Sequence, residues 1–115
     1  MSASEDCIFC KIVAGDLPGD VVGETEHSVA FRDVMPQAPT HVLVVPRSHL
    51  ENAAAVAEAE PATLADMFLL ARTVADQEGL EGYRAVFNTG AAAQQTVFHA
   101  HLHVVGGRPF TWPPG

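Results

Sequence analysis

The seven residues HAHLHVV, at positions 99–105, decide how this chain folds and where its chemistry lies. Side chains alternate between the two faces of a β-strand, so His99, His101 and His103 should project from one face, roughly 6.6 Å apart. The alternate positions 100, 102 and 104 are apolar and should face a core. Three imidazoles on one half-buried face cost free energy unless they are hydrated, hydrogen-bonded or ligated. The pattern therefore predicts a histidine face that binds something, in preference to an incidental cluster.

Turn signals and hydrophobic periodicity predict the elements around this strand. A short helix is expected over residues 6–14. A longer helix should begin at Pro61 and end near Gly79, with an apolar face made of Leu64, Met67, Phe68, Ala71 and Val74. Strands are expected at residues 21–24, 28–33, 41–46, 83–89 and 96–105. The prediction is an α+β fold, an antiparallel five-stranded sheet with one long and one short helix on one face.

Composition narrows the class of protein. The 115 residues are enough for one domain with a real core, so we expect a single domain over residues 1–115. The net charge of −8 argues against a nucleic acid partner, because phosphate backbones are bound by clustered Lys and Arg. No apolar run has the length of a membrane span, and the first residues do not resemble a signal peptide. We therefore expect a cytoplasmic protein that does not associate with membranes.

Cys7 and Cys10 are the two cysteines of the chain. Three residues apart on a short helix, they occupy neighbouring positions of one face. They are too close together in the sequence for a disulfide between them to cross-link distant parts of the fold. The remaining interpretations are an incidental apolar pair, a metal-ligand pair or a redox pair. The redox interpretation is disfavoured because the β-α-β context typical of that motif is absent.

Several motifs together resemble one known family. They are the triad at 99–105, CIFCKI at 7–12, PQAPTH at 36–41, PRSH at 46–49, GGR at 106–108 and WPPG at 112–115. The set covers nearly the whole chain and resembles the histidine triad (HIT) superfamily, within it the Hint-like branch of purine nucleoside phosphoramidases. The resemblance implies a HIT-like sheet with two helices, a purine nucleotide substrate such as an AMP derivative, and a homodimer with a shared sheet.

The resemblance assigns the chemistry to three histidines. His101 is implied to be the nucleophile that attacks the α-phosphorus of a nucleoside phosphoramidate and forms a covalent nucleotidyl-histidine. Its other ring nitrogen must then carry a proton and needs an acceptor such as a backbone carbonyl. His103 and His41 are implied to form a relay beside the nucleophile. The alternative is that each is a plain hydrogen-bonding residue.

The resemblance also implies a set of nucleotide contacts. Asp33 would accept hydrogen bonds from the ribose hydroxyls, although an Asp at a strand end is also a common turn former. Gln94 stands where Hint proteins usually have glycine, and Thr96 where they often have serine, so we expect this loop to approach phosphate differently. The implied nucleotide contacts are Asp33, Val34, Asn88, Gln94, Gln95, Thr96, His101 and His103.

Zinc is the cofactor that the resemblance implies. Some bacterial members of the superfamily bind zinc through a Cys-x-x-Cys pair and two histidines, and the matching positions here are Cys7, Cys10, His49 and His99. A Cys₂His₂ set is a closed tetrahedral site, so the implied zinc is structural. No organic cofactor is implied.

Three functions remain open from the sequence. A hydrolase that cleaves the phosphorus–nitrogen bond is favoured over a nucleotide-binding regulatory module with incidental slow hydrolysis, because binding alone does not need a nucleophile such as His101. The WPPG ending favours a phosphoramidase over a dinucleoside polyphosphate hydrolase.

Overall fold

The computed structural model describes residues 6–115, which form a five-stranded antiparallel sheet flanked by three α-helices. The strands are β1 Val21–Glu24, β2 Ser28–Arg32, β3 Thr40–Pro46, β4 Tyr83–Phe87 and β5 Leu102–Gly106, in the order β1-β2-β3-β5-β4. The helices are α1 Ile8–Ala14, α2 Ala53–Ala59 and α3 Pro61–Gln77. Within residues 6–115, no helix combines the length and apolarity needed to cross a membrane. The predicted fold class is confirmed, with the additional short helix α2.

Helices α2 and α3 cover one face of the sheet. Pro61 lies in the first turn of α3, where its missing N–H leaves no hydrogen bond unmade. Asn52 caps α2 by accepting a hydrogen bond from the Ala55 N–H at 2.9 Å, a signal that could have predicted this helix. The sheet residues buried beneath the helices are Ala30, Val42, Val44, Ala100, Leu102 and Val104.

One position on the predicted apolar face of α3 is wrong. Phe68 is 43% exposed and its ring lies against Phe87 at the sheet edge, with ring centroids 5.9 Å apart. Leu70 is buried in its place. The five consecutive apolar residues at 67–71 do not distinguish neighbouring faces of a helix, so local periodicity could not select the inward one.

Helix α1 packs on the opposite face, so the prediction that the helices share one face is wrong. Phe9 enters a second apolar cluster with Val29, Phe31, Leu43 and Val45. The physical reason lies in β3, whose consecutive apolar residues send Val42 and Val44 towards α3 but Leu43 and Val45 towards α1. A sheet with apolar residues on both faces must be covered on both.

Strand β5 begins six residues later than predicted. Val44 pairs with Leu102, and the same register continued would place Pro46 opposite Ala100. Proline has no N–H to donate to a ladder, and the Ala100 N–H instead donates to the Leu50 carbonyl at 2.7 Å. The side-chain alternation nevertheless extends through 99–105, because Ala100 belongs to the cluster under α3 while His99 and His101 lie beside Phe9.

Candidate active site and metal centre

A cleft of about 790 Å³ opens between α1 and the sheet. One wall is apolar and comes from α1, and the floor comes from β2 and β3. His101, His103 and Asp33 lie close together and form its polar end, and Asp20 and Arg32 also line the cleft. The principal lining residues are Ile8, Phe9, Ile12, Phe31, Leu43, Asp33, Val34, Thr96, His101 and His103.

The His101 ring is held in one tautomer. Its Nδ1 lies 2.8 Å from the His99 carbonyl oxygen, which can only accept, so Nδ1 carries the proton. The edge-on Phe9 ring, with centroids 5.0 Å apart, packs against the imidazole. Nε2 is therefore left with a lone pair, which is the form that a nucleophilic imidazole requires.

A chain of hydrogen bonds orients the neighbouring histidines. The Gln37 N–H donates to His41 Nδ1 at 2.9 Å, so the proton of the neutral His41 ring is on Nε2. That Nε2–H faces His103 Nδ1 at 2.9 Å and Asp33 Oδ2 at 3.3 Å. His103 consequently carries its own proton on Nε2, a buried atom that has no hydrogen-bond partner within residues 6–115. A buried N–H without an acceptor is costly and points to an acceptor supplied by a ligand.

Burial keeps these two histidines neutral. Burial, together with the nearby imidazoles of His101 and His41, lowers the pKa of His103 to about 4, against the opposing charge of Asp33. Burial likewise lowers the pKa of His41, with Asp33 acting in the opposite direction. At neutral pH both rings act as hydrogen-bonding groups and not as cations.

Asp33, His41 and His103 also form a cluster whose donor atoms lie within 4.8 Å of one another. A metal there would need the lone pair of His41 Nε2. The Gln37 N–H instead directs the proton to that nitrogen. The hydrogen-bonding therefore favours a relay over a second metal centre.

The cleft brings together several of the predicted nucleotide contacts. Asp33 lies at its polar end, with Oδ1 accepting from the Met35 N–H at 2.9 Å, while Val34 is 94% exposed at the mouth. Thr96 lines the cleft with His101. The apolar wall of α1 and the Gln37 donor were not predicted from the sequence, although the apolar spacing of α1 was a usable signal for the wall.

The other predicted contacts, Asn88, Gln94 and Gln95, do not line the cleft, and the side chain of Gln95 is turned inward. Gln95 is 2% exposed, accepts from the Gly90 N–H at 2.9 Å and donates to the Glu51 and Val97 carbonyls at 2.7 and 3.1 Å. Gln94 has φ of 71°, the left-handed conformation that glycine adopts without strain. Contact of these three residues with a nucleotide stays a prediction.

A second cluster joins the start of α1 to the triad. Its members are Cys7, Cys10, His49 and His99, and their donor atoms lie within 4.8 Å of one another. Cys10 Sγ is 3.2 Å from His49 Nδ1, Cys7 Sγ is 3.4 Å from His99 Nδ1, and the two Nδ1 atoms are 3.2 Å apart. A tetrahedral zinc would place its ligand nitrogens about 3.3 Å apart and sulfur and nitrogen about 3.6 Å apart, so the donor set fits.

The tautomer of His99 also suits a metal ligand. Its Nε2 lies 2.9 Å from the Pro46 carbonyl and therefore carries the proton, which leaves the Nδ1 lone pair directed at the two thiols. Burial lowers the pKa of His99 to about 4, against the raising effect of the Pro46 bond. A neutral imidazole with an oriented second nitrogen is the form that binds a divalent metal.

Comparison with known proteins identifies close relatives. A family model described as the HIT domain matches residues 14–110. The 14 kDa zinc-binding protein of Zea mays is 46% identical over 111 residues, which cover 94% of this chain and 87% of that one. A HIT family hydrolase from Legionella pneumophila is 46% identical with a TM-score of 0.90, covering 96% of this chain and all of its own. A Zn-bound histidine triad family protein from Mycobacterium smegmatis is 35% identical with a TM-score of 0.80, covering 92% and 78%.

Proposed function

Because this chain belongs to the HIT domain family, we propose that it is a nucleotide hydrolase of the Hint-like branch that cleaves nucleoside phosphoramidates. The Legionella relative, a HIT family hydrolase, supports hydrolysis as the class of reaction. The proposal treats residues 1–115 as a single HIT domain. The observation that carries it is a pair of complementary nitrogens, the His101 Nε2 lone pair and the His103 Nε2–H, which has no hydrogen-bond partner among residues 6–115.

Phosphoryl transfer needs a nucleophile that attacks phosphorus and a donor that stabilises charge on the phosphoryl oxygens. These two nitrogens can supply both. His101 Nε2 attacks the α-phosphorus, so that a nitrogen–phosphorus bond forms while the bond from phosphorus to the amine breaks. The amine leaves with a proton taken from water, and the hydroxide that remains attacks the phosphorus of the nucleotidyl-histidine, which releases the nucleoside monophosphate and restores the ring. His103 Nε2–H donates to a phosphoryl oxygen, and His41 holds its tautomer.

The rest of the cleft suits a nucleoside. A purine base would lie against the apolar wall made by Ile8, Phe9 and Ile12. The ribose hydroxyls would donate to Asp33, whose carboxylate can accept two hydrogen bonds from a cis-diol. Thr96 also lines the cleft and would contact the phosphate.

The test compares adenosine 5′-phosphoramidate with a diadenosine polyphosphate, in the wild type and in His101→Ala. We expect turnover of the phosphoramidate to be faster and to be abolished by the substitution, while AMP binding survives, because only the covalent step needs the imidazole. His27→Ala, a half-exposed histidine in the β1–β2 turn, is the matched control. Turnover of His101→Ala within tenfold of the wild type would exclude the nucleophile, and preference for the dinucleotide would exclude the phosphoramidase assignment.

We also infer that the metal bound by the four-residue cluster is structural zinc. The Zea mays and Mycobacterium smegmatis relatives are described as zinc-binding and Zn-bound, and the donor distances here suit a tetrahedral site. Zinc would cross-link α1 to the triad segment without an open coordination position for substrate. Elemental analysis of protein purified without chelator should give one zinc per chain, and a content near zero would exclude the assignment.

A homodimer is the third part of the proposal. Strand β4 lies at an edge of the sheet, with Tyr83 and Val86 partly exposed and Phe68 exposed beside it. Such an edge favours pairing with another strand, here β4 of a second copy. Light scattering after size-exclusion chromatography should give twice the chain mass, and Val86→Lys should shift it towards the monomer.

A further inference from the structure

Helix α1 belongs to both the candidate metal centre and the nucleotide cleft. Cys7 at its N-cap and Cys10 in its first turn contribute two donors to the metal cluster. Ile8 and Ile12, on the same helix, line the cleft. Any displacement of α1 therefore moves the apolar wall of the cleft together with the thiols.

Within residues 6–115, α1 is held on the sheet by this cluster and by a small apolar contact. The helix has seven residues, and a helix of that length is not stable by itself in water. Phe9 is buried in the second apolar cluster, with Ile12 and Val13 partly buried against it, while Ile8 is 48% exposed. The thiols add further contacts to the body of the protein, with Cys7 near His99 and Cys10 near His49 and His99.

The cluster is connected to the nucleophile through His99. His99 contributes Nδ1 to the cluster, and its backbone carbonyl accepts the proton of His101 Nδ1. Phe9 touches both rings, with centroids 5.9 Å from His99 and 5.0 Å from His101. The four cluster residues thus connect the wall of the cleft to the nucleophile at its polar end.

We propose that occupancy of the Cys7, Cys10, His49 and His99 cluster controls nucleotide affinity, because these residues hold α1 as the wall of the cleft. The inference rests on the proposed nucleotide site and adds a regulatory linkage to it. When metal is bound, the thiols keep α1 docked. When it is removed, α1 is held by Phe9 with the partly buried Ile12 and Val13, and the base-binding wall loosens. Coupling between two sites is reciprocal, so a nucleotide must tighten metal binding by the same factor.

The experiment measures AMP binding by calorimetry with the zinc-loaded protein and with the protein after chelation and dialysis. We expect the zinc-loaded form to bind AMP at least about fivefold more tightly, and AMP to raise zinc affinity by the same factor in a competition titration. Hydrogen exchange should show that residues 8–14 lose protection on chelation while α3 keeps it. These readouts do not depend on turnover.

Leu70→Ala is the control for a general loss of stability, since Leu70 is buried on the opposite face of the sheet. It should lower the melting temperature but leave AMP affinity within twofold. If chelation unfolds the wild type, the same comparison is made with His49→Gln, which keeps both thiols on α1. Equal AMP affinity with and without zinc in a folded protein would overturn the linkage. Absence of AMP binding to the zinc-loaded form would overturn the proposed function, and the linkage with it.

Discussion

Replacing Gln95 with leucine tests whether this residue acts by holding the loop at residues 90–97. The side chain is 2% exposed and makes three hydrogen bonds, all to backbone groups of Gly90, Glu51 and Val97. Leucine has a similar size but cannot hydrogen-bond, so Gln95→Leu keeps the volume and removes the three bonds. The substitution therefore distinguishes two roles of Gln95: a clamp, which holds the loop by these three hydrogen bonds, and a direct contact with phosphate.

The expected loss follows from the environment of each partner. A net hydrogen bond contributes about 0.5–1.5 kcal/mol, which gives roughly 1.5–4.5 kcal/mol for three. Glu51 is exposed and Gly90 and Val97 are half-buried, so water can replace part of the loss. We expect the free energy of unfolding to fall by about 2–3 kcal/mol, which lowers the melting temperature by roughly 10 °C in a domain of this size. Displacement of Thr96 at the cleft should lower kcat/KM roughly ten- to hundredfold.

Urea denaturation of the zinc-loaded protein, followed by circular dichroism, measures the change in stability. The matched control is Gln94→Gly at the adjacent exposed position, where the left-handed backbone suits glycine. Its stability should change by less than about 1 kcal/mol. A Gln95→Leu protein that loses AMP affinity but unfolds within about 0.5 kcal/mol of the wild type would refute the clamp and support a direct contact.

Three further predictions concern the ribose contact, the relay and the metal cluster. Asp33→Ala should weaken AMP by about 1.5–3 kcal/mol but 2′-deoxy-AMP much less, and equal losses in calorimetry would contradict the ribose contact. The pKa of His103 is about 4 when folded against 6.5 when unfolded, so the unfolded state binds more protons between these values. The free energy of unfolding should therefore fall as pH drops from 6.5 towards 4, and it should fall less steeply in His103→Asn. Identical pH profiles for the wild type and the variant would exclude His103 as the origin of the pH dependence. Cys7→Ser should lower zinc content and melting temperature as a chelator does, more than it lowers kcat, and full zinc retention would exclude Cys7 as a ligand.

Much of the local structure could be predicted from short-range patterns. The bounds of β1 agree with the prediction, and α3 begins at Pro61 as expected, because proline, glycine and hydrophobic periodicity act within a few residues. The alternation at 99–105 correctly separated the histidine face from the apolar face, since side-chain direction in extended chain depends only on the backbone. The resemblance to the family, and not local spacing, implied the four members of the cluster Cys7, Cys10, His49 and His99 that the structure brings together.

The arrangement of the site was decided by tertiary structure. Local periodicity could not indicate that α1 covers the face opposite α3, because that choice depends on the two-sided burial of β3. The tautomers that distinguish His101 from His103 are set by the His99 carbonyl and by the Gln37 N–H acting through His41. The inward position of Gln95 likewise depends on a hydrogen bond to the carbonyl of Glu51, which is distant in the sequence. Sequence patterns report which residues share a face, whereas hydrogen-bond direction and cleft walls arise from groups that only the folded sheet brings together.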